Sequence, residues 1–346
     1  MTNEWTAFLA TQGARIDDSG ARVALPPADG AATVLVPLLH LGLIHSQGAE
    51  SAPFLHNLFS NDVKKLAPEA AQWNSFNSPK GRMLASFLLW GTPEAHWLAM
   101  SADLQPALLK KLSMYVLRSK VKLQDAGADH ALLGLAGPEA AERLSQAGLP
   151  VPDAPMQRAV HGGGNVIRLD ARHFVLAFPV AEAIAIFNAL QQAGAHPAGT
   201  DAWQLAMIRA GLPLVTTATQ EEFVAQMLNY ELIGGVSFNK GCYPGQEIVA
   251  RTRYLGKLKK RMYRVHIDGA SAPAPTPGAD LYAPDFGDQS AGKLVNVAPC
   301  PEGDFEALAV LQMSSAEAGE VHLASPDGPR LRLLDLPYAL NAEAAR

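Results

Sequence analysis

Cys242 sits in the run Lys240-Gly241-Cys242-Tyr243-Pro244-Gly245-Gln246-Glu247. A nucleophile, two glycines, a turn and charges of both signs meet there within eight residues. Pro244 fixes φ near −65° and Gly245 tolerates positive φ, so the pair predicts a type II turn. Gly241 removes a side chain on the other flank, leaving the thiol in a loop that a ligand can approach. Lys240, Arg251 and Arg253 are the nearest cations and would lower the thiol pKa if they surround it in space. Arg251 and Arg253 are two apart and share one face if the segment is a strand. From Lys240 to Arg264 there are eight Lys or Arg and one acid, Glu247, a local charge of +7 in a chain of net charge −5. Such a local field favours an anionic partner. Taken singly these residues are ordinary: a free cysteine is usually a small buried hydrophobe, and a Lys/Arg run a solvated face. Their coincidence singles out the stretch.

Other chemistry is thinly supported. Cys242 and Cys300 form no CxxC pair and the ten histidines are scattered, so a metal site or a cluster held by this chain alone is not expected. A chain of 346 residues suggests two or three domains. It is long enough to bury about three quarters of its unfolded surface without disulfide or metal staples. The start carries Glu4 and lacks a basic segment followed by an apolar run. The most apolar stretch, 31–44, is broken by Thr33, Pro37, His40 and Gly42 and is too short to span a bilayer. A soluble protein of the reducing cytoplasm, without a membrane partner, is expected.

Periodicity indicates the elements that must position the cysteine loop. Trp5, Phe8 and Leu9 predict a first helix, ended by the Pro/Gly run at 26–30. Strands are expected at 34–36 and 41–45, then a helix over 50–60 with Phe54, Leu55, Leu58 and Phe59 inward. A hairpin of 83–90 and 96–100 turns at Gly91-Thr92-Pro93-Glu94. A helix follows with Leu104, Leu108, Leu112 and Tyr115 on one stripe. After a strand at 120–123 the order recurs: strand 131–135, helix 138–146, hairpin 166–169 with 174–178, and helix 180–192 with Ile184, Phe187 and Leu190 inward. Both stretches read β-α-β-β-α. Gly48, Glu50, Ala52 and Leu55 recur as Gly137, Glu139, Ala141 and Leu144 at one offset of 89, which predicts a duplication.

Thr200 is placed to cap a helix through Ala210, ended by Gly211. Thr219-Gln220-Glu221-Glu222 fits a capping box opening a helix with Phe223 and Met227 inward, which leads through Asn229, Tyr230 and Gly234-Gly235 to the cysteine loop. From Met262 onward apolar and polar residues alternate. Short strands near 280–283, 292–297, 305–312, 321–324 and 330–334, behind a stiff loop at 273–278, predict a small β-barrel. The tail 341–346 is expected to fray. The chain thus reads as a duplicated α+β body over 1–260, in subdomains of about 1–125 and 126–260, followed by a C-terminal β-barrel over 261–346. The basic stretch lies at the junction, where ligand pockets prefer to form.

The run KGCYPGQEIVARTRYLGKLKKRMY from Lys240 to Tyr263 closely resembles the signature of the YgfZ family of folate-binding proteins. These are relatives of the glycine cleavage T-protein that act in iron–sulfur protein maintenance and tRNA modification. Ala210-Gly211-Leu212-Pro213, Met227-Leu228-Asn229 and Gly234-Gly235-Val236-Ser237-Phe238 resemble the family's approach to that loop. Pro79-Lys80-Gly81-Arg82 resembles its N-terminal K-G-[KR] element, and Leu117-Arg118-Ser119-Lys120-Val121 its segment after the first long helix. The resemblance implies a glycine cleavage T-protein-like fold of interleaved α+β lobes, a three-domain ring around a central folate pocket with the cysteine motif at its rim. It implies tetrahydrofolate or a one-carbon derivative as cofactor. Lys240, Arg251 and Arg253 would meet its glutamate carboxylates, which Arg pairs bidentately. Asn229 and Gln246 would hydrogen-bond the pterin or the loop, Glu247 belongs to the same binding stretch, and Cys242 would serve as nucleophile, redox group or transient ligand.

Two departures shape the expectation. T-protein enzymes carry an acidic pair that, aligned through Lys80-Gly81-Arg82-Met83, falls on Leu84-Ala85, and neither side chain can accept a proton. The acid that many relatives place before Ala-Gly is Arg209 here. (Ala225 also stands where relatives often have Pro.) The resemblance therefore implies a folate-binding accessory protein for iron–sulfur enzymes, including tRNA-modifying ones, rather than a classical enzyme. Its partners would be those client enzymes and, indirectly, tRNA. One alternative is a folate-dependent aminomethyltransferase or demethylase, which needs a carboxylate such as Asp62 or Asp103 near the folate. The other is a basic RNA-binding module without folate. Against it, the basic window holds only Tyr243, Tyr254 and Tyr263 as aromatics and no RRM, KH or helix-turn-helix pattern is present. His161-Gly162-Gly163-Gly164 reads as a loop before a strand more simply than as a phosphate cradle.

Overall fold

The computed structural model describes residues 4–26, 33–92, 94–254, 258–270 and 274–340. Most of the 26–30 breaker, Pro93, Lys257, Pro273 and the 341–346 tail lie outside the described residues. The chain separates into two compact units. The first comprises Met1–Leu55, Val63–Gln72 and Leu88–Trp203, the second His56–Asp62, Trp73–Phe87 and Gln204–Arg346. Both units are discontinuous, because compactness follows long-range contacts and the chain passes between them five times.

The α+β body runs α1 (Glu4–Thr11), β1 (Val34–Pro37), β2 (Leu41–Gln47), α2 (Ser51–His56), β3 (Ala71–Asn77), β4 (Met83–Thr92), β5 (Ala95–Ser101), α3 (Gln105–Val116), β6 (Lys122–Asp125), β7 (His130–Ala136), α4 (Ala140–Gln146), β8 (Arg158–His161), β9 (Gly164–Arg168), β10 (His173–Pro179), α5 (Val180–Gln192) and α6 (Thr200–Arg209). One sheet has the order β3-β4-β5-β2-β6. The other has β8-β9-β10-β7-β1, extended by the short strand His196–Pro197. Position by position the two orders are the same. β2 and β7 differ by 89 at both ends, the offset of the four repeated residues. Gly48 (φ +138°) and Gly137 (φ +148°) follow these strands in a backbone conformation that only glycine adopts readily, which is why both repeats carry glycine there.

Each repeat is therefore β-α-β-β-β-α, with β3 and β8 as the strands that periodicity did not reveal. The fifth strands are exchanged. β1 precedes β2 but pairs antiparallel with β7, and β6 precedes β7 but pairs antiparallel with β2. This exchange interleaves the repeats. The second repeat packs Leu133, Leu135, Phe174, Leu176 and Phe178 against Phe187 and Leu190 of α5 and Trp5 and Leu9 of α1.

Several local expectations change. The helix expected over 50–60 stops at His56, because Phe59 bridges to Phe76 and the Ser60 N–H donates to the Ser75 carbonyl of the unforeseen β3 (3.0 Å). Leu104, Leu108 and Leu112 are buried as expected, but Tyr115 is exposed. The Thr200 hydroxyl accepts the Val23 N–H (2.9 Å) rather than capping its own helix. No α-helix opens at Thr219; only a short 3-10 turn, Ala225–Leu228, forms further on. Met83 exchanges bonds with Glu221 and Phe223, which draws 221–224 out into an extended pairing with β4. The capping box instead joins Thr216 to Thr219.

The second unit ends in α7 (Gln246–Tyr254) and six strands: β11 (Lys260–Ile267), β12 (Asp280–Tyr282), β13 (Gly292–Pro299), β14 (Phe305–Gln312), β15 (His322–Leu323) and β16 (Arg332–Leu334). Their order is β15-β12-β13-β14-β11-β16. The sheet curls until its edges meet: Leu331 N–H donates to Val321, and Leu323 N–H to Pro329, just before β16. Val265, Ile267, Leu281, Leu294, Ala307, Ala309 and Leu311 fill the interior, confirming the expected barrel-like sheet. Among the described residues no helix is long and apolar enough to cross a membrane.

Candidate functional site

The site is built within the second unit from three segments, 56–62, 73–82 and 240–254. The Pro244-Gly245 turn is as expected. Gly245 has φ +77° and the Gln246 N–H donates to the Tyr243 carbonyl at 3.1 Å. A Cβ on Gly245 would lie 2.5 Å from the Ser78 carbonyl oxygen and 2.6 Å from Gly81 Cα. Gly81 itself has φ +72°, and a Cβ there would lie 2.9 Å from Ile248. The Lys80-Gly81-Arg82 turn and the cysteine loop thus pack glycine to glycine, an approach no other residue permits.

Lys240 anchors the loop. It is only 8% exposed, and its ammonium donates to the carbonyls of His56, Phe59 and Asn61 while lying 4.8 Å over the Tyr243 ring. Gln246 Nε2 donates to the Lys240 carbonyl at 3.4 Å. Beneath the loop His56 pairs with Asp62 at 3.0 Å, and His56 Nε2 lies 3.9 Å from the Cβ position of Gly241. Tyr243 is buried, which pushes its phenol well above the ordinary range and keeps it neutral. Cys242 is exposed, whereas Cys300 is buried and its thiol is pushed up by that burial.

The segment after the loop is the helix α7, not a strand. Arg251 and Arg253 therefore point about 200° apart around the axis and do not share a face. Both are exposed, and Arg253 stacks 4.0 Å over the Phe238 ring. Glu247 lies exposed in the first turn, where a negative charge suits the helix N-terminus. Asn229 is fully buried at φ +57°. Its amide donates to Met262 O (2.9 Å) and accepts from Arg261 (3.1 Å), which also pairs with Glu231 at 2.7 Å. Its side chain ties the segment before the loop to β11. Burial raises the Glu231 pKa and Arg261 opposes that rise.

The residues that sequence reasoning missed lie on β3 and just after it. Asn74, Ser75, Asn77 and Ser78 are buried, at 0%, 0%, 1% and 5% exposure. Asn74 Nδ2, Ser75 Oγ, both amide atoms of Asn77 and Ser78 Oγ have no hydrogen-bond partner within the described residues. Buried polar atoms are nearly always satisfied, so five such atoms in one short segment mark it out from the rest of the body. Along the strand Ser75 and Asn77 share one face, and Asn74 lies on the other. The available signal was the Asn-Ser-Phe-Asn-Ser run, which lacks strand propensity but whose backbone runs into the Lys80-Gly81-Arg82 turn.

Leu84 and Ala85 are both buried in β4, so no acid stands where the T-protein pair aligns. Arg209 pairs with Glu306 of the barrel at 2.7 Å. Asp62 is engaged by His56, and Asp103 is an exposed residue of the first unit. In the glycine run, the Gly163 N–H already donates to the Glu182 carboxylate, which occupies the place of an anion. Among the described residues no three His, Cys, Asp or Glu side chains are grouped to hold a metal.

The fold is that of the glycine cleavage T-protein class. The GCVT N-terminal domain family matches residues 31–154. The structure superposes on the glycine cleavage system aminomethyltransferase T from Bartonella henselae with a TM-score of 0.77 over 97% of each chain, at 17% identity, which establishes the fold. Among curated relatives, the tRNA-modifying protein YgfZ of Photobacterium profundum is 30% identical over 311 residues, 89% of this chain and 92% of the relative. The protein of the same name from Enterobacter sp. (strain 638) is 28% identical over 324 residues, 91% and 98% of the two chains. The chain belongs to the YgfZ family.

Proposed function

We propose that this chain binds a reduced folate, tetrahydrofolate or a one-carbon derivative, against β3 and the cysteine loop. In this reading it serves in the cytoplasm as an accessory protein for iron–sulfur enzymes, including those that modify tRNA. The observation that carries the reading is the pair Ser75 and Asn77, buried side chains with partnerless polar atoms on one face of the strand that runs into the glycine-packed loop. Those groups would hold the pterin. Lys240 and Gln246 fix the loop that frames it, while Asn229 fixes the segment that leads there. Arg251, one helical turn after Glu247, and Arg253, which also stacks on Phe238, would meet a glutamate tail from different faces of α7. A bound folate supplies a one-carbon carrier. Cys242, exposed on the rim, is the group that a client enzyme would meet. Aminomethyl transfer is disfavoured because Leu84 and Ala85 offer no proton acceptor.

Calorimetric titration of tetrahydrofolate and its formyl derivative tests this, with wild type beside Asn77→Ala and Cys242→Ala. Binding weakened at least tenfold by Asn77→Ala and unchanged by Cys242→Ala is expected. No heat of binding from folded wild type with either folate would overturn the reading.

A further inference from the structure

The first unit carries a second anomaly, unconnected with the cysteine loop. At the end of α3, Leu117 is 88% exposed and adopts φ +44°, ψ −102°. A γ-branched apolar residue in that region is strained, and burial offers it nothing in return. Met114 (63% exposed) and Tyr115 (45%) stand beside it. The turn is held firmly. Lys120 N–H donates to Glu50 Oε2 at 2.6 Å, Ser119 N–H to Val116 O at 2.7 Å and Val121 N–H to Ser119 O at 2.8 Å. Gly48 lets the chain pass directly against Lys120. Tyr115, Leu117, Arg118 and Ser119 line a shallow concavity with Glu50. The chain thus stabilises an unfavourable backbone that presents apolar groups to solvent, the pattern of a surface built for a partner.

Charge identifies that partner. From Leu104 to Gln124 the sequence holds Lys110, Lys111, Arg118, Lys120 and Lys122 and no acid, in a chain of net charge −5. Of these, Lys110, Arg118, Lys120 and Lys122 are exposed. Along the chain, exposed cations precede and follow the aromatic and aliphatic side chains, and the one acid of the concavity, Glu50, is engaged by the Lys120 N–H. The pattern is like that of platforms that stack unpaired bases while tracking the phosphates. Three apolar side chains are too few for stable membrane insertion. We infer that the end of α3 and its turn form an RNA-docking face that receives an unpaired loop, with Tyr115 and Leu117 against bases and Lys110, Arg118, Lys120 and Lys122 on phosphates. The choice of tRNA as probe rests on the proposed role in tRNA modification.

The test is anisotropy of a labelled tRNA transcript titrated with the full chain at 50 and 200 mM salt, circular dichroism confirming the fold of each variant. Lys110→Glu with Lys120→Glu should weaken binding at least tenfold at the lower salt, and reduce the slope of log K against log salt by about two. Leu117→Ser and Tyr115→Ser should each cost about fivefold or more with the salt slope unchanged. Lys64→Glu, a cation elsewhere in the same unit, should bind as wild type. Failure of wild type to bind tRNA would overturn the inference. So would wild-type affinity in the double variant, loss of binding from Arg251→Glu alone, or tighter binding to phosphatidylserine vesicles than to tRNA. Folate titration of the same variants separates the two claims, since folate binding should survive every change on α3.

Discussion

The two repeats of the body share a strand order and put it to different uses. In the second, β7, β9 and β10 supply an apolar layer closed by α5, and its extra strand β8 lies at a partly exposed edge. In the first, the matching strand β3 is buried and polar, with Asn74, Ser75 and Asn77 inside. Leaving a buried polar group unsatisfied costs about 1–3 kcal/mol, so β3 is a liability to folding. The difference teaches that duplication separates two tasks. One copy supplies core stability, and the other can carry groups chosen for a ligand.

The comparison is broken or sharpened by changes placed in each repeat. The largest effect is expected from Phe187→Ala in the second, a fully buried ring on α5. It should destabilise by about 3–5 kcal/mol in urea unfolding, leaving folate affinity per folded molecule unchanged. Next comes Asn77→Leu in the first repeat. Its urea midpoint should hold or rise, because two partnerless atoms are removed, while folate affinity falls at least about tenfold. A drop in midpoint like that of Phe187→Ala would mean that β3 is merely structural.

A third expectation concerns pH. His96 on β5 is buried, its Nδ1 2.9 Å from Ser51 Oγ, and burial, with the nearby His45 and Arg158, lowers its pKa to about 4 from 6.5. The unfolded chain therefore binds the extra proton first. The stability contributed is complete above pH 6.5 and is lost as pH falls towards 4, on the order of 2–3 kcal/mol. His96→Gln should reduce the slope of the unfolding free energy across that window, the buried His40 keeping part of it, and an unchanged profile would refute the assignment. The smallest effect concerns the cysteine loop. Iodoacetamide should modify Cys242 at least about tenfold faster than the buried Cys300, read by mass spectrometry of peptides, without altering the fold.

Much of this was legible in the chain. α5 occupies Val180–Gln192 as its apolar period predicts, the two hairpins and the barrel strands lie where alternation places them, and Pro244-Gly245 makes its turn. The offset of 89 reported a real duplication. What was missed has a common cause. β3 has weak strand propensity and exists because it pairs with β4 in the sheet, with Phe76 also bridging to Phe59. The segment 221–224 leaves its helical pattern because Met83 pairs with it. α7 is helical although its spacing of arginines suited a strand.

The sequence by itself determined the local elements, the glycine positions, the family signature and the lack of an acid at Leu84-Ala85. These are properties of neighbouring residues, or of single side chains that no fold can change. The tertiary structure alone decided that Lys240 would be buried on three carbonyls, that Asn77 would lie inside without a partner, and that β1 and β6 would exchange sheets. Each of these depends on residues far apart in the chain being brought into register, and pairing of that kind leaves no periodic trace in either partner.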